Sequence, residues 1–127
     1  MRYAGKQRAI AVVDDDVAVR EAVENLLRSA DFRVECFTSA EAFLGSPCLR
    51  WVACLVLDME LPGMNGLQLQ QQLLSSGSQI PVVFFTARDD AEGRMRTRAL
   101  DAGAFAFLCK PFIGQELLSA VHAATVR

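Results

Sequence analysis

Cys54-Leu55-Val56-Leu57-Asp58-Met59-Glu60-Leu61-Pro62-Gly63-Met64 is the stretch that decides the fold. An apolar run ends in a carboxylate, and a Pro-Gly turn follows at once. Such a run, bounded by turn signals, reads as a strand buried on both faces, the kind found in parallel sheets. Open α/β sheets put their ligand chemistry at the C-terminal ends of such strands. Asp58 stands at that end, where a carboxylate without a partner is costly. The plain alternative is that Asp58 caps the turn before Pro62.

Working outward, Ala9–Val13 is a second buried strand and runs into Asp14, Asp15 and Asp16. Adjacent like charges beside a core repel one another. Val19, Ala22, Val23, Leu26, Leu27 and Ala30 recur at helical spacing, and Asp16 fits as the N-cap of that helix. This accounts for Asp16 and leaves Asp14 and Asp15 without a structural role. Phe32–Phe37 alternates apolar and polar residues and reads as an edge strand. Thr38 or Ser39 then caps a short helix that ends at Gly45-Ser46-Pro47.

Beyond the Pro62-Gly63 turn, Asn65 and Gly66 open a helix that turns Leu69, Leu73 and Leu74 inward and a glutamine face outward. Pro81–Thr86 is another buried strand, ending in a hydroxyl. Asp89 or Asp90 begins a helix reaching Ala102, with Gly93 inside it at a cost of about 1 kcal/mol relative to alanine. Ala104–Leu108 is the last strand, and Leu117, Leu118, Val121 and Ala124 mark the final helix. Five strands alternating with five helices describe a doubly wound parallel sheet. Right-handed crossovers bring Asp14, Asp15, Asp58, Thr86 and Lys110 to one edge of it.

Composition narrows the function. The 127 residues are 52% hydrophobic and 22% charged, which suits one globular domain over residues 1–127. A net charge of −2 and a pI near 5.3 argue against a nucleic-acid footprint. The apolar run Ala9–Val13 is too short for a signal-peptide core or a membrane span, so a soluble, cytoplasmic chain is expected. Cys36, Cys48, Cys54 and Cys109 show no C-x-x-C spacing and read as small buried hydrophobes, and with His122 the sole histidine a zinc site is not expected.

Three carboxylates held together need positive charge. A divalent ion and Lys110 would balance Asp14, Asp15 and Asp58, and an all-oxygen donor set suits Mg²⁺. Carboxylate, metal, lysine and hydroxyl around one point also make a phosphoryl site, with a carboxylate as nucleophile.

Four segments carry a resemblance: V-V-D-D-D (12–16), L-V-L-D-M-E-L-P-G-M-N-G (55–66), V-F-F-T-A (83–87) and G-A-F-A-F-L-C-K-P-F (103–112). In this order and spacing the chain resembles the receiver domain of two-component response regulators, from Ala9 to Val126. The resemblance implies a flavodoxin-like sheet of order 2-1-3-4-5. It implies that Asp58 accepts a phosphoryl group from a sensor histidine kinase. It further implies that Asp15 ligates Mg²⁺ directly, Asp14 mainly through water, and Glu60 through its backbone carbonyl. Thr86 would bond the phosphoryl group, Lys110 would pair with it, and Lys110-Pro111 would be a cis peptide.

Phe107 occupies the position of the family's aromatic switch, often tyrosine, and otherwise reads as an ordinary core or surface aromatic. Glu60 and Arg88 flank the path of the attacking water in such domains. They would either pair over the phosphoryl group and lengthen its lifetime, or stand as two solvated charges. Arg94, Arg96 and Arg98 do not share one helical face, which disfavours a nucleic-acid stripe. The fourth helix, fifth strand and fifth helix are the expected surface for a phosphorylation-dependent homodimer. The motifs look most like receivers of the nitrogen-fixation regulator type, so the chain reads as a piece of a longer transcription regulator, ahead of a stand-alone receiver. An aspartyl-nucleophile phosphohydrolase is the competing class. Glu60 mimics its general acid, but the Pro62-Gly63 turn and the paired acids after the first strand do not fit it.

Overall fold

A computed structural model describes residues 9–86, 90, 92–109 and 114–126. In chain order the elements are β1 (Ala9–Val13), α1 (Val17–Ser29), β2 (Val34–Phe37), α2 (Ala40–Leu44), a 3-10 turn (Pro47–Arg50), β3 (Val52–Asp58), α3 (Gly66–Ser75), β4 (Val82–Thr86), α4 (Arg94–Asp101), β5 (Ala106–Cys109) and α5 (Gly114–Thr125). The strands form one parallel sheet in the order β2-β1-β3-β4-β5. This is the flavodoxin-like architecture expected from the sequence.

The period of two along each strand divides the core into two layers. Ala11, Val13, Leu55, Leu57, Phe84 and Phe107 pack with Phe43 of α2, Leu69 and Leu73 of α3 and Ala99 of α4. Ile10, Val12, Cys54, Val56, Val83 and Phe85 face the other way, toward Val23 and Leu27 of α1 and Leu117 and Val121 of α5. Covered on both sides, β1, β3 and β4 bury almost every residue, which is why their sequences run apolar without alternation. β2 at the edge buries only Val34 fully and leaves Glu35, Cys36 and Phe37 half-buried.

Helix starts follow the expected capping chemistry. Asp16 accepts from the backbone N–H groups of Ala18 and Val19, at 2.9 and 3.2 Å. Ser39, of the two candidates, caps α2 through the Ala42 N–H. Asn65 and Gln68 exchange side chain-to-backbone hydrogen bonds in a capping box at the start of α3. At Gly66 a Cβ would lie 2.6 Å from the Asp58 carbonyl oxygen, so glycine lets α3 start directly against β3.

Several expectations change, among them the start of β2, which is Val34 and not Phe32. Leu74 is 53% exposed and not part of the core, because α3 turns Leu69, Gln70 and Leu73 inward. Gln70 is buried instead, its Nε2 donating to the Ala102 carbonyl at 3.1 Å and tying α3 to the end of α4. α4 begins at Arg94, not at Asp89 or Asp90, because Gly93 adopts φ +72 as its N-cap and is not inside the helix. Asp90 still serves the start, its two carboxylate oxygens accepting from the Met95 and Arg96 N–H groups at 3.1 and 3.0 Å. Asp89 lies outside the described residues. β3 begins earlier than Cys54, at Val52, and β5 runs from Ala106 to Cys109 where Ala104–Leu108 was expected. Cys48 and Cys54 are buried as expected, whereas Cys36 and Cys109, on the two edge strands, are only half-buried.

Candidate phosphoryl and metal site

Neighbouring strands bring the acids together. Val13 pairs with Leu57 in the β1–β3 register, so Asp14 and Asp58 leave the sheet side by side. Ligand oxygens of Asp14, Asp15 and Asp58 lie within 4.8 Å of one another. They line a pocket of about 170 Å³ together with Asp16, Glu60 and Phe85. Asp14 is 1% exposed, Asp58 is half-buried and Asp15 is open to solvent.

Backbone amides hold both inner carboxylates. The Asp16 N–H donates to Asp14 Oδ1 at 2.9 Å, and the Glu60 N–H donates to Asp58 Oδ1 at 3.0 Å. Burial raises the Asp14 carboxyl to about 7, reinforced by the neighbouring Asp58 and Asp15 charges and by a hydrogen bond shared with Asp58. Asp58 is also raised, again chiefly by burial, while the same shared hydrogen bond opposes the rise. The two acids are thus linked through one hydrogen bond, and burial disfavours the charged form of both. Hard oxygen donors crowded at this distance, with no histidine or thiol among them, are compatible with Mg²⁺. A cation there would offset the burial and mutual repulsion that raise the Asp14 carboxyl.

Thr86 ends β4, fully buried, one position beyond the Asp58–Phe85 pair. Phe107 pairs with Phe84 in the β4–β5 register, on the same face and two residues below the Thr86–Cys109 pair. It is 2% exposed and packs into the core, and the Arg96 guanidinium lies 5.4 Å from its ring centroid. Arg94 and Arg98, one turn apart, face a groove of about 950 Å³ bordered by Asp15 and Glu60, while Arg96 turns to Phe107. The three arginines thus divide between two faces. Lys110, the Lys110-Pro111 peptide and Arg88, with its pairing to Glu60, lie outside the described residues.

Two contacts at the site had no signal in the sequence. Arg20, which helical spacing puts on the solvent side of α1, donates through Nη1 to the Asp14 carbonyl at 2.8 Å. Glu41 of α2 accepts from the Met64 N–H at 3.0 Å across 23 residues of sequence. Neither partnership has a local spacing that could reveal it.

With the geometry in hand, comparison with known proteins gives the family. A family model described as the response regulator receiver domain matches residues 10–122. The chain belongs to the response regulator receiver domain family. It is 44% identical over 115 residues to the response regulator protein TodT of Pseudomonas putida, covering 91% of this chain and 50% of that protein. The transcriptional regulatory protein FixJ of Azorhizobium caulinodans is 38% identical over 120 residues, covering 93% of this chain and 55% of its own length. The solved structure of response regulator StyR superposes with a TM-score of 0.82 at 48% identity, covering 93% of this receiver and 59% of that chain. This receiver thus spans about half the length of the curated relatives it matches. Among the described residues, no helix is long and apolar enough to cross a membrane.

Proposed function

We propose that this receiver takes a phosphoryl group onto Asp58 from the phosphohistidine of a sensor histidine kinase, with Mg²⁺ bound beside it. The observation that carries this reading is the convergence of Asp14, Asp15 and Asp58 at the ends of two adjacent strands, with the buried Thr86 hydroxyl one strand away. An Asp58 carboxylate oxygen attacks phosphorus as the P–N bond to the kinase imidazole breaks, and the leaving imidazole takes up a proton. Asp15 would hold the metal directly, Asp14 mainly through water, and the Glu60 carbonyl and Asp58 itself would complete the protein donors. Bound Mg²⁺ would supply charge for the phosphoryl oxygens, the Thr86 hydroxyl would donate to one of them, and Lys110 would pair with another.

Holding Phe107 behind a phosphoryl-bonded Thr86 favours one surface of α4, β5 and α5, a population shift that could drive homodimerisation. Relatives named transcriptional regulators support a role ahead of a DNA-binding output. The domain acts as a phospho-switch with self-catalysed transfer and hydrolysis, and not as a multiple-turnover enzyme.

Intact mass after incubation with a small-molecule phosphodonor tests this, with and without Mg²⁺, on wild type and Asp58→Ala. One phosphoryl group gained only with Mg²⁺ and lost in the variant is the expected result. Uptake that survives in Asp58→Ala would remove Asp58 as acceptor, and sustained turnover of a phosphate ester would favour the hydrolase class.

A further inference from the structure

We propose that Glu41, on α2 and outside the acid cluster, is a positioning residue that sets the β3–α3 loop for metal binding. The inference rests on the receiver reading, in which the Glu60 carbonyl is a metal ligand. That carbonyl belongs to a loop whose two ends are fixed by backbone. At one end the Met59 N–H donates to the Phe85 carbonyl at 2.9 Å, continuing the β3–β4 ladder. At the other the Gly66 N–H donates to the Met59 carbonyl at 3.2 Å, and the Asn65–Gln68 capping box begins α3.

Between these ends the loop must turn, and it does so at Gly63, where φ is +73. Glu41 Oε2 reaches this turn and accepts from the Met64 N–H at 3.0 Å. A Cβ at residue 63 would stand only 3.0 Å from the same oxygen, so carboxylate and turn are in direct contact. The Met64 N–H holds the Glu41 carboxyl below its ordinary value, as expected of a charged acceptor. Glu41 sits in the first turn of α2, where the helix dipole also favours its charge. Ser39 caps that helix independently, so Glu41 is not needed for the helix itself.

The mechanical consequence is specific. The Glu60 N–H already donates to Asp58, which fixes one side of the Glu60 peptide. Its other side continues into Leu61, Pro62 and Gly63, and the Glu41 tether limits how that segment can rotate. Freeing the tether leaves the Asp14, Asp15 and Asp58 carboxylates in place and lets the Glu60 carbonyl drift from them. Metal affinity falls while the fold stays intact.

Calorimetric Mg²⁺ titration of the whole chain tests this on wild type, Glu41→Ala, Glu41→Gln and, as a control for the site, Asp15→Asn. Amide exchange at Met64 is followed in the metal-free proteins. Glu41→Ala is expected to weaken Mg²⁺ about 10-fold and to speed Met64 exchange, with little change in thermal midpoint. Glu41→Gln keeps a carbonyl acceptor and should stay close to wild type. Unchanged Mg²⁺ affinity in Glu41→Ala, with wild type binding normally, would overturn the proposal. So would an equal loss in Glu41→Gln, which would trace the effect to long-range charge. A wild type that binds no Mg²⁺ would overturn both this inference and the receiver reading.

Discussion

The two sides of the site are built differently. On the β1–β3 side the acids sit on central strands between α1 and α3, and each helix starts with a side-chain cap next to it in sequence. α1 buries Val23 and Leu27, and α3 buries Leu69, Gln70 and Leu73. On the β4–β5 side, α4 buries only Ala99 fully, exposes Leu100 and carries three arginines. Its N-cap is Gly93, which has no side chain to offer, so Asp90 caps it from outside. One side fixes carboxylates to within ångströms. The other is lightly anchored, with few buried contacts to hold α4 in place.

The largest test of this contrast is Leu57→Ala against Met95→Ala. Leu57 is fully buried on β3, and its truncation should cost about 2–5 kcal/mol in urea unfolding. Met95 is half-buried on α4 and should cost about 1 kcal/mol. Equal losses would mean that α4 is as firmly packed as the sheet.

Asp14→Asn comes next. The folded protein holds the Asp14 proton more tightly than the unfolded chain, with folded and reference values of about 7 and 3.8. Its contribution to stability is therefore present at low pH, declines as pH rises between those values, and is flat above them. Without metal, Asp14→Asn should flatten that slope and stabilise the protein above neutrality by ~1–3 kcal/mol. Chemical denaturation at several pH values, in chelator, reads both effects.

The two caps sharpen the comparison further. Asp16→Ala and Asp90→Ala should each cost about 1 kcal/mol locally. Hydrogen exchange separates them: loss of Asp16 should lower protection through α1 and the sheet, and loss of Asp90 should speed exchange in α4 alone. The smallest effect belongs to Arg96→Ala, which removes the cation from Phe107 and should lower stability by about 0.5–1 kcal/mol in thermal unfolding. No change there would leave Phe107 held by the core alone.

The same contrast governs how far the sequence could be read. The buried strands announce themselves because a strand covered on both faces must be continuously apolar, and the apolar run Ala9–Val13 matches the bounds of β1 for that reason. The acids at their ends stand out because nothing in a core accounts for them. The start of α4 is not legible because Gly93 carries two meanings in a sequence, helix interior or left-handed cap, and only the backbone distinguishes them. Leu74 reads as inward beside Leu73, whereas the helix phase turns Gln70 there and supplies it with the Ala102 carbonyl. Arg20 and Glu41 escaped because their partners are backbone atoms, which leave no mark on a residue pattern.

Gly66 has a consequence for how motion can pass through the molecule. With a virtual Cβ only 2.6 Å from the Asp58 carbonyl and 3.0 Å from both Met59 Cα and the Phe84 ring, the first turn of α3 abuts β3 with nothing compressible between them. Strand and helix are coupled as one piece. A displacement of β3 at Asp58 meets no hinge on that flank.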